Sequence, residues 1–379
     1  MSFVSFEQSA KRTLSELGHR RRSLSLTRSD AIDFVSNDYL GLGRDQDFQQ
    51  RAWQRCKSLW PGASASRLLS GEHPLFAEVE SQFCAFKQAP SSLFFTSGYV
   101  ANEAVISTIA KVFDDVEFFS DQFNHASTID GLRLCKLSRE RVHIYPHDDF
   151  QTLEAQLEQS RSSRKVILSE AVFSMHGTII DLGRLMQIAE THDALIILDE
   201  AHSIGVFGEG GRGLVSECRL DHNERLITIN TCGKAMAAQG AFLCGPTWLR
   251  ELIINFARPF IYTTAPSPWL AAAVAESISA VASANTARVK LHAQISGCAK
   301  LLLKHNIEAV NKKPSHILHI KLQSDEHALV IGKACQSEGF RVGVVRPPTV
   351  PQAGLRISLH AHNHSTDVER LFATLSVNA

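Results

Sequence analysis

Short apolar runs alternate along the chain with segments whose apolar residues recur at helical spacing. The strand-like runs are "SSLFFTSG", "VEFFSD", "RVHIYPH", "KVILSE", "ALIILDE", "LITINT" and "GAFLCG". Between several of them lie "YVANEAVISTIAKVF", "DFQTLEAQLEQS" and "DLGRLMQIAETHD", whose apolar positions keep the period of an amphipathic helix. This alternation predicts an α/β fold, a mostly parallel sheet with helices on both faces. From Pro266 an alanine-rich helical stretch runs to about His305; then come "HILHIKLQS", a helix from about Glu326, "RVGVVRPP" and "LRISLHA". The pattern predicts an N-terminal helix and extended segment over 1–45, a large α/β domain over 46–265, and a small α+β C-terminal domain over 266–379.

Composition narrows the function. At 379 residues the chain exceeds the size at which one core keeps growing, which suits two lobes. Lys plus Arg and Asp plus Glu balance at 39 each, so no global field draws the chain to nucleic acid or anionic lipid. No apolar stretch approaches the length of a membrane span, and "MSFVSFEQSAKRTLSEL" has no apolar signal core. The expected address is cytoplasmic. The eight cysteines form no C-x-x-C pair. "HAHNH", with His360, His362 and His364, reads as a polar strand end rather than a metal site, because no carboxylate or cysteine lies close in sequence; no metal is expected.

One strand-like run carries the candidate chemistry. "LIILDEAH" ends in Asp199, Glu200 and His202, a pattern shared by helicase-like ATPases and by pyridoxal-phosphate enzymes. The ATPase reading needs G-x-x-x-x-G-K-[ST]. Here Gly233-Lys234 and Gly332-Lys333 are each followed by Ala, and the earlier glycine is replaced by Thr228 and His327. "GEGGRG" satisfies G-x-G-x-x-G through Gly208, Gly210 and Gly213, but "EAHSIGVF" separates it from the strand end, so a glycine-rich surface turn is expected instead of a dinucleotide site. Lys234, in "TINTCGKAMAAQGAF", follows a strand end among small apolar residues, where desolvation frees an amine for a Schiff base. A strand-end Asp paired with such a Lys is the layout of fold-type I pyridoxal-phosphate transferases. "FFTSGYVANEAV" supplies Ser97, Gly98 and Tyr99 at a strand-to-helix junction suited to a phosphate, and "DQFNHASTIDG" offers His125 as a stacking partner for a ring.

With those segments in place, the chain resembles the α-oxoamine synthases. The resemblance runs from "FVSNDYLGL" to "DVERLF" and rests on the order and spacing of "NDYLGL", "SRLLSG", "FFTSGYVAN", "NHAST", "SEAVFSMHG", "DEAHSIGVFGEGGRG", "GKA", "IYTTAPSP" and "VRPPTVP...LRISL". It is greatest to members that condense L-alanine with a pimeloyl thioester, on coenzyme A or an acyl carrier protein, in biotin synthesis. The resemblance implies pyridoxal 5'-phosphate as cofactor, Lys234 as Schiff-base lysine and proton carrier, and Asp199 at the pyridine nitrogen. It also implies His202 and Ser174 at the phenolic oxygen, His125 stacked on the ring, and Ser97, Gly98, Tyr99 and Thr231 at the phosphate. Thr264 of "YTT" would reach the phosphate from a second subunit, so a homodimer is implied. Asn37 and Arg356 would receive the amino-acid carboxylate, for which a guanidinium fork is suited, with Thr349 and Arg21 completing the substrate contacts.

The chain departs from the family pattern at a few positions. The usual "GxGGSR" is "GASASR", with Ser64 and Ala65 for glycines; the usual His of H-x-x-L-E is Phe76; His176 stands where Asp is common; Gly354 replaces the first Arg of "ARLR". These changes bear on acyl-chain preference rather than on the ring contacts. Relatives using glycine with another acyl-CoA share the ring residues, and a fold-type I aminotransferase would share the Asp and Lys. "HRRR", Arg20 to Arg22, reads either as a solvated basic helix end or as a contact for an anionic acyl carrier.

Overall fold

The structure, a computed structural model, describes residues 3–17, 30–311 and 313–378. Its contacts divide the chain into Met1–Ala31 and Ile32–Ala379. The first unit holds the helix Phe3–Glu16, whose surface carries the i,i+4 pairs Glu7–Lys11 and Arg12–Glu16. Arg20, Arg21 and Arg22 lie outside the described residues.

Eleven strands are found among the described residues of the second unit: β1 (Ile32–Phe34), β2 (Ser91–Phe95), β3 (Glu117–Asp121), β4 (Val142–Tyr145), β5 (Lys165–Glu170), β6 (Ala194–Asp199), β7 (Leu226–Thr231), β8 (Ala241–Gly245), β9 (Ile317–Lys321), β10 (Phe340–Val345) and β11 (Gly354–Ser358). Seven form one sheet in the order β2-β8-β7-β6-β5-β3-β4, in which β8 alone runs against the others. Successive residues of its central strands enter opposite cores. Val166, Leu168 and Ile197 pack with Val105 and Ile109 of the helix Gly98–Val112; Ile167, Ile196 and Leu198 pack with Leu185 and Ile188 of the helix Leu182–Thr191. Burial on both faces is why these strands read as continuous apolar runs. The crossover helices start where side chains supply the missing acceptors: Ser97, Asp149 and Asp181 accept from the backbone N–H of Val100, Thr152 and Arg184.

The remaining strands form a sheet in the order β1-β10-β11-β9. β1 pairs in parallel with β10, so Ile32–Phe34 joins a sheet otherwise built from the C-terminal third of the chain. The predicted continuous helix from Pro266 to His305 is two helices, Pro268–Ser283 and Asn285–Lys304. They part at Ala284, where the Arg288 guanidinium binds the carbonyls of Val281 (2.6 Å) and Ala282 (3.2 Å), satisfying groups a continuous helix would have paired internally.

Candidate active site

The carboxyl ends of β2, β3, β5, β6 and β7 bring Ser97, His125, Glu170, Asp199 and Thr231 to one edge of the large sheet. Parallel pairing sets Glu170 of β5 beside Asp199 of β6, with the helix Gly98–Val112 starting at the same edge. Ser97 caps that helix. Gly98 sits so close to β7 that a Cβ there would lie 2.4 Å from Cγ2 of Thr231, and the buried Thr231 Oγ1 has no hydrogen-bond partner. A helix start, a glycine without room for a side chain and an orphaned hydroxyl together make an anion cradle.

Two hydrogen-bonded networks meet beyond this edge. In the first, Asn102, one turn into the helix, donates to Asp199 Oδ2 (2.8 Å) and to Ser127 Oγ (3.1 Å). Ser127 N–H donates to His125 Nδ1 (3.2 Å), and its hydroxyl lies 2.8 Å from the same nitrogen. Burial lowers the His125 pKa, against the opposing pull of Asp199. In the second, Lys234 Nζ lies 2.7 Å from His202 Nε2, His202 Nδ1 lies 2.6 Å from the Tyr39 hydroxyl, Tyr39 donates to Asn37 Oδ1 (2.9 Å), and Arg356 Nη2 donates to that same oxygen (3.0 Å). Arg356 Nε also donates to the Ser174 carbonyl at 2.7 Å, which fixes the guanidinium from two sides. Burial brings the Lys234 amine down to about 8, with Asp199 and Glu170 resisting the shift. Burial likewise holds His202 well below the ordinary imidazole value and Glu170 well above the ordinary carboxyl value. The edge thus offers a lysine that sheds its proton at about pH 8, a neutral histidine beside it, and an anchored carboxylate.

The structure gathers Asn37, Ser97, Gly98, His125, Ser174, Asp199, His202, Thr231, Lys234 and Arg356 at this edge. Tyr99 is exposed on its rim, its ring edge-on to His125 at 6.1 Å, and its hydroxyl donates to Asp130. Thr264 is exposed in the segment before Pro268, and Thr349 is exposed in the turn after β10. Sequence reasoning missed Tyr39, Asn102 and Glu170. All three sit inside the quoted motifs "NDYLGL", "FFTSGYVAN" and "SEAVFS", but their partners are distant in sequence.

Several other expectations take a different form. The glycine-rich turn is only partly at the surface: Gly213 lies against Glu200, where a Cβ would come within 2.4 Å of Oε1. Glu200 accepts from Ser203, from the Val215 backbone and from buried Lys87, so it holds the fold while its neighbour Asp199 faces the site. His360 lies beyond the end of β11, buried, and bonds to Ser36 through Nε2. Phe76 is a core residue beneath Arg67, and Ser64 holds the positive φ, 62°, that glycine adopts freely. Two departures from the family pattern meet at one buried ring: His176 lies 5.3 Å from His319 between ring centres, and a Cβ on Gly354 would lie 2.5 Å from His319 Nε2.

The family described as aminotransferase class I and II matches residues 29–375. An 8-amino-7-oxononanoate synthase of Marinobacter nauticus is 37% identical over 361 residues, spanning 95% of this chain and 90% of the relative. One from Azoarcus sp. is 38% identical over 350 residues, spanning 92% and 88%. Among solved structures, serine palmitoyltransferase from S. paucimobilis shares the fold, with a TM-score of 0.90 at 22% identity over 100% of this chain and 98% of that one. The 8-amino-7-oxononanoate synthase of Francisella tularensis superposes with a TM-score of 0.80 at 29% identity over 92% and 97%. A match of this extent establishes that the chain belongs to the class I and II aminotransferase family and is a relative of the 8-amino-7-oxononanoate synthases.

Proposed function

We propose that this enzyme condenses L-alanine with a pimeloyl thioester, on coenzyme A or an acyl carrier protein, releasing CO₂ and free thiol to give 8-amino-7-oxononanoate for biotin synthesis. The names of its relatives support the product, and the arrangement around Lys234 supports the chemistry. The cofactor is pyridoxal phosphate, and the residues fit it: the cradle at Gly98 and Thr231 suits its phosphate, the Lys234 amine its aldehyde, and Asp199 its ring nitrogen. When bound, the cofactor draws electrons from the amino-acid Cα and makes its proton removable.

The chain's own groups divide the remaining work. Ser97, Gly98, Tyr99 and Thr231 hold the phosphate, and His125 lies against the ring. Asp199, held on Oδ2 by Asn102 and on Oδ1 by the Ala201 N–H (2.9 Å), keeps its negative charge in place against the ring nitrogen. Ser174 and His202 face the phenolic oxygen. Asn37 and Arg356 receive the alanine carboxylate; the guanidinium is oriented for this by the Ser174 carbonyl and Asn37. Lys234 takes the Cα proton as a free amine and returns one after CO₂ has left. Thr349 and Arg21 serve the substrates, and Thr264 completes the phosphate site of a partner in a homodimer.

The single observation that carries this reading is the continuous path from Lys234 through His202, Tyr39 and Asn37 to Arg356, which ties the proton carrier to the carboxylate receptor. Mass analysis of the product from alanine and pimeloyl thioester, with CO₂ and thiol measured together, tests it. A keto acid product without CO₂ would show an aminotransferase, and turnover with glycine in preference to alanine would show another α-oxoamine synthase.

A further inference from the structure

Tyr39 belongs to none of the roles assigned above, yet its hydroxyl is the middle link of that path. It is fully buried, and His316 packs edge-on against its ring with centroids 4.3 Å apart. The hydrogens along the path follow from the chemistry of its ends. A lysine ammonium has only hydrogens to give, so His202 Nε2 accepts from it. A neutral imidazole then carries its one hydrogen on Nδ1 and gives it to the Tyr39 oxygen, whose own hydrogen goes to Asn37 Oδ1. Both middle groups stay uncharged: burial drives His202 well below the ordinary imidazole value, and burial pushes the Tyr39 phenol up to about 12.

This polarity suits an ammonium facing His202 and fails for an anion. An anionic oxygen facing Nε2, such as the phenolic oxygen of the cofactor, needs a hydrogen there, and a neutral imidazole can supply one only by giving up the hydrogen on Nδ1. Nδ1 then needs a donor. A hydroxyl is suited to both situations, since it gives and takes through one rotatable atom. Other ionisable groups influence these residues by charge: Asp199, Glu170 and Arg356 act on Lys234, and Lys234, Arg356, His316 and His125 act on His202. Among the described residues, the hydrogen-bond partner of Nδ1 is Tyr39.

We propose that Tyr39 is a positioning residue that sets the tautomer of His202 by reversing its hydroxyl hydrogen, so that one uncharged imidazole accepts from Lys234 and donates to an anionic oxygen in turn. The inference rests on the reading of Lys234 and His202 given above and adds to it a residue that acts through His202 without touching the reacting atoms.

The test is Tyr39→Phe in the full-length chain. With the cofactor removed, the pH midpoint of Lys234 labelling by an amine reagent is read by peptide mass. Loss of the acceptor for Nδ1–H weakens Nε2 as an acceptor, so the ammonium is held less well and the midpoint falls by about half a unit or more. Reloaded with pyridoxal phosphate, the variant shows a displaced pH midpoint of visible absorbance. In a His202→Asn background the same Tyr39→Phe change leaves the labelling midpoint where it was, because the path is already cut. An unchanged midpoint in the parent background, or an equal shift with and without His202, overturns the inference. Fluorotyrosine at position 39 keeps the ring packed and weakens the hydroxyl as an acceptor; it lowers the midpoint too, and a midpoint insensitive to it also overturns the inference, whether or not the Phe variant folds. A labelling shift between variant and parent, in a parent that binds no pyridoxal phosphate, would refute the functional reading while leaving the role of Tyr39 in place.

Discussion

The side-chain amide of Asn102 donates to Oδ2 of Asp199 at 2.8 Å, and both residues are buried. Because Oδ1 is also engaged by the Ala201 N–H, the carboxylate cannot swing away from the position it holds. Asp199→Asn removes the charge and sets an NH₂ against one of these two N–H donors, which the Asn102 amide accommodates by turning its own oxygen toward it. The expected outcome is a folded protein that still takes up pyridoxal phosphate but exchanges the alanine Cα proton roughly a hundredfold more slowly, on the order of 3 kcal/mol. Deuterium exchange followed by NMR checks this, and an unchanged rate would rule out the assignment of Asp199.

Lys234 makes a pH prediction whose sign is fixed by the direction of its shift. Burial brings its amine from an ordinary lysine value down to about 8, so in the cofactor-free protein its reaction with an amine reagent rises through about pH 8. Exposed lysines rise near 10.4 or so, about the unperturbed value. Since the unfolded chain keeps this proton up to the ordinary value, the contribution to stability is fully present above that value and is lost as pH falls through about 8. Labelling of Lys234 in step with the surface lysines would refute the burial account.

Gly98 predicts a loss of cofactor binding with the chemistry groups intact. Its replacement by Ala puts a Cβ 2.4 Å from Thr231 Cγ2, so the helix start or the end of β7 has to shift. Affinity for pyridoxal phosphate is expected to fall about tenfold or more, roughly 1.4 kcal/mol, in an absorbance titration. Equal affinity in variant and parent would place the phosphate elsewhere.

The large sheet was legible because its central strands are buried on both faces and show as compact apolar runs, "ALIILD" being the clearest. The alanine-rich C-terminal stretch was less so: helix propensity is high on both sides of Ala284, and the break depends on where the Arg288 guanidinium turns. β1 is three residues long and its partner strand starts at Phe340, so no local pattern announces that pairing. In the site, Asp199 stands out as the last residue of a strand and Lys234 by its place just after one. Tyr39 does not, because a tyrosine beside Leu40 and Leu42 looks like core until His202 is seen 2.6 Å from its hydroxyl. The same holds for Gly354, whose missing side chain leaves room for His319 on a neighbouring strand.

The buried pair Lys87 and Glu200 yields a prediction about stability alone. Glu200→Gln leaves the Lys87 ammonium facing an uncharged amide inside the protein, and breaking such a pair costs about 3–5 kcal/mol. A lowered melting temperature with turnover per folded molecule preserved is expected from thermal denaturation and active-site titration together. A stable protein with impaired chemistry would instead make Glu200 part of the reaction.

The contrast between Asp199 and Glu200, adjacent carboxylates turned to different partners, bears on how damaging variants at the two positions are to be read. A growth selection scores both as loss of function. Yet a shortfall of soluble enzyme can be relieved by low temperature, stronger expression or a compensating stabiliser elsewhere in the chain, whereas loss of the charge that the proposed chemistry needs from Asp199 cannot. Suppressors of Glu200 variants should consequently be scattered across the molecule, and suppressors of Asp199 variants should be confined to substitutions that restore an acid.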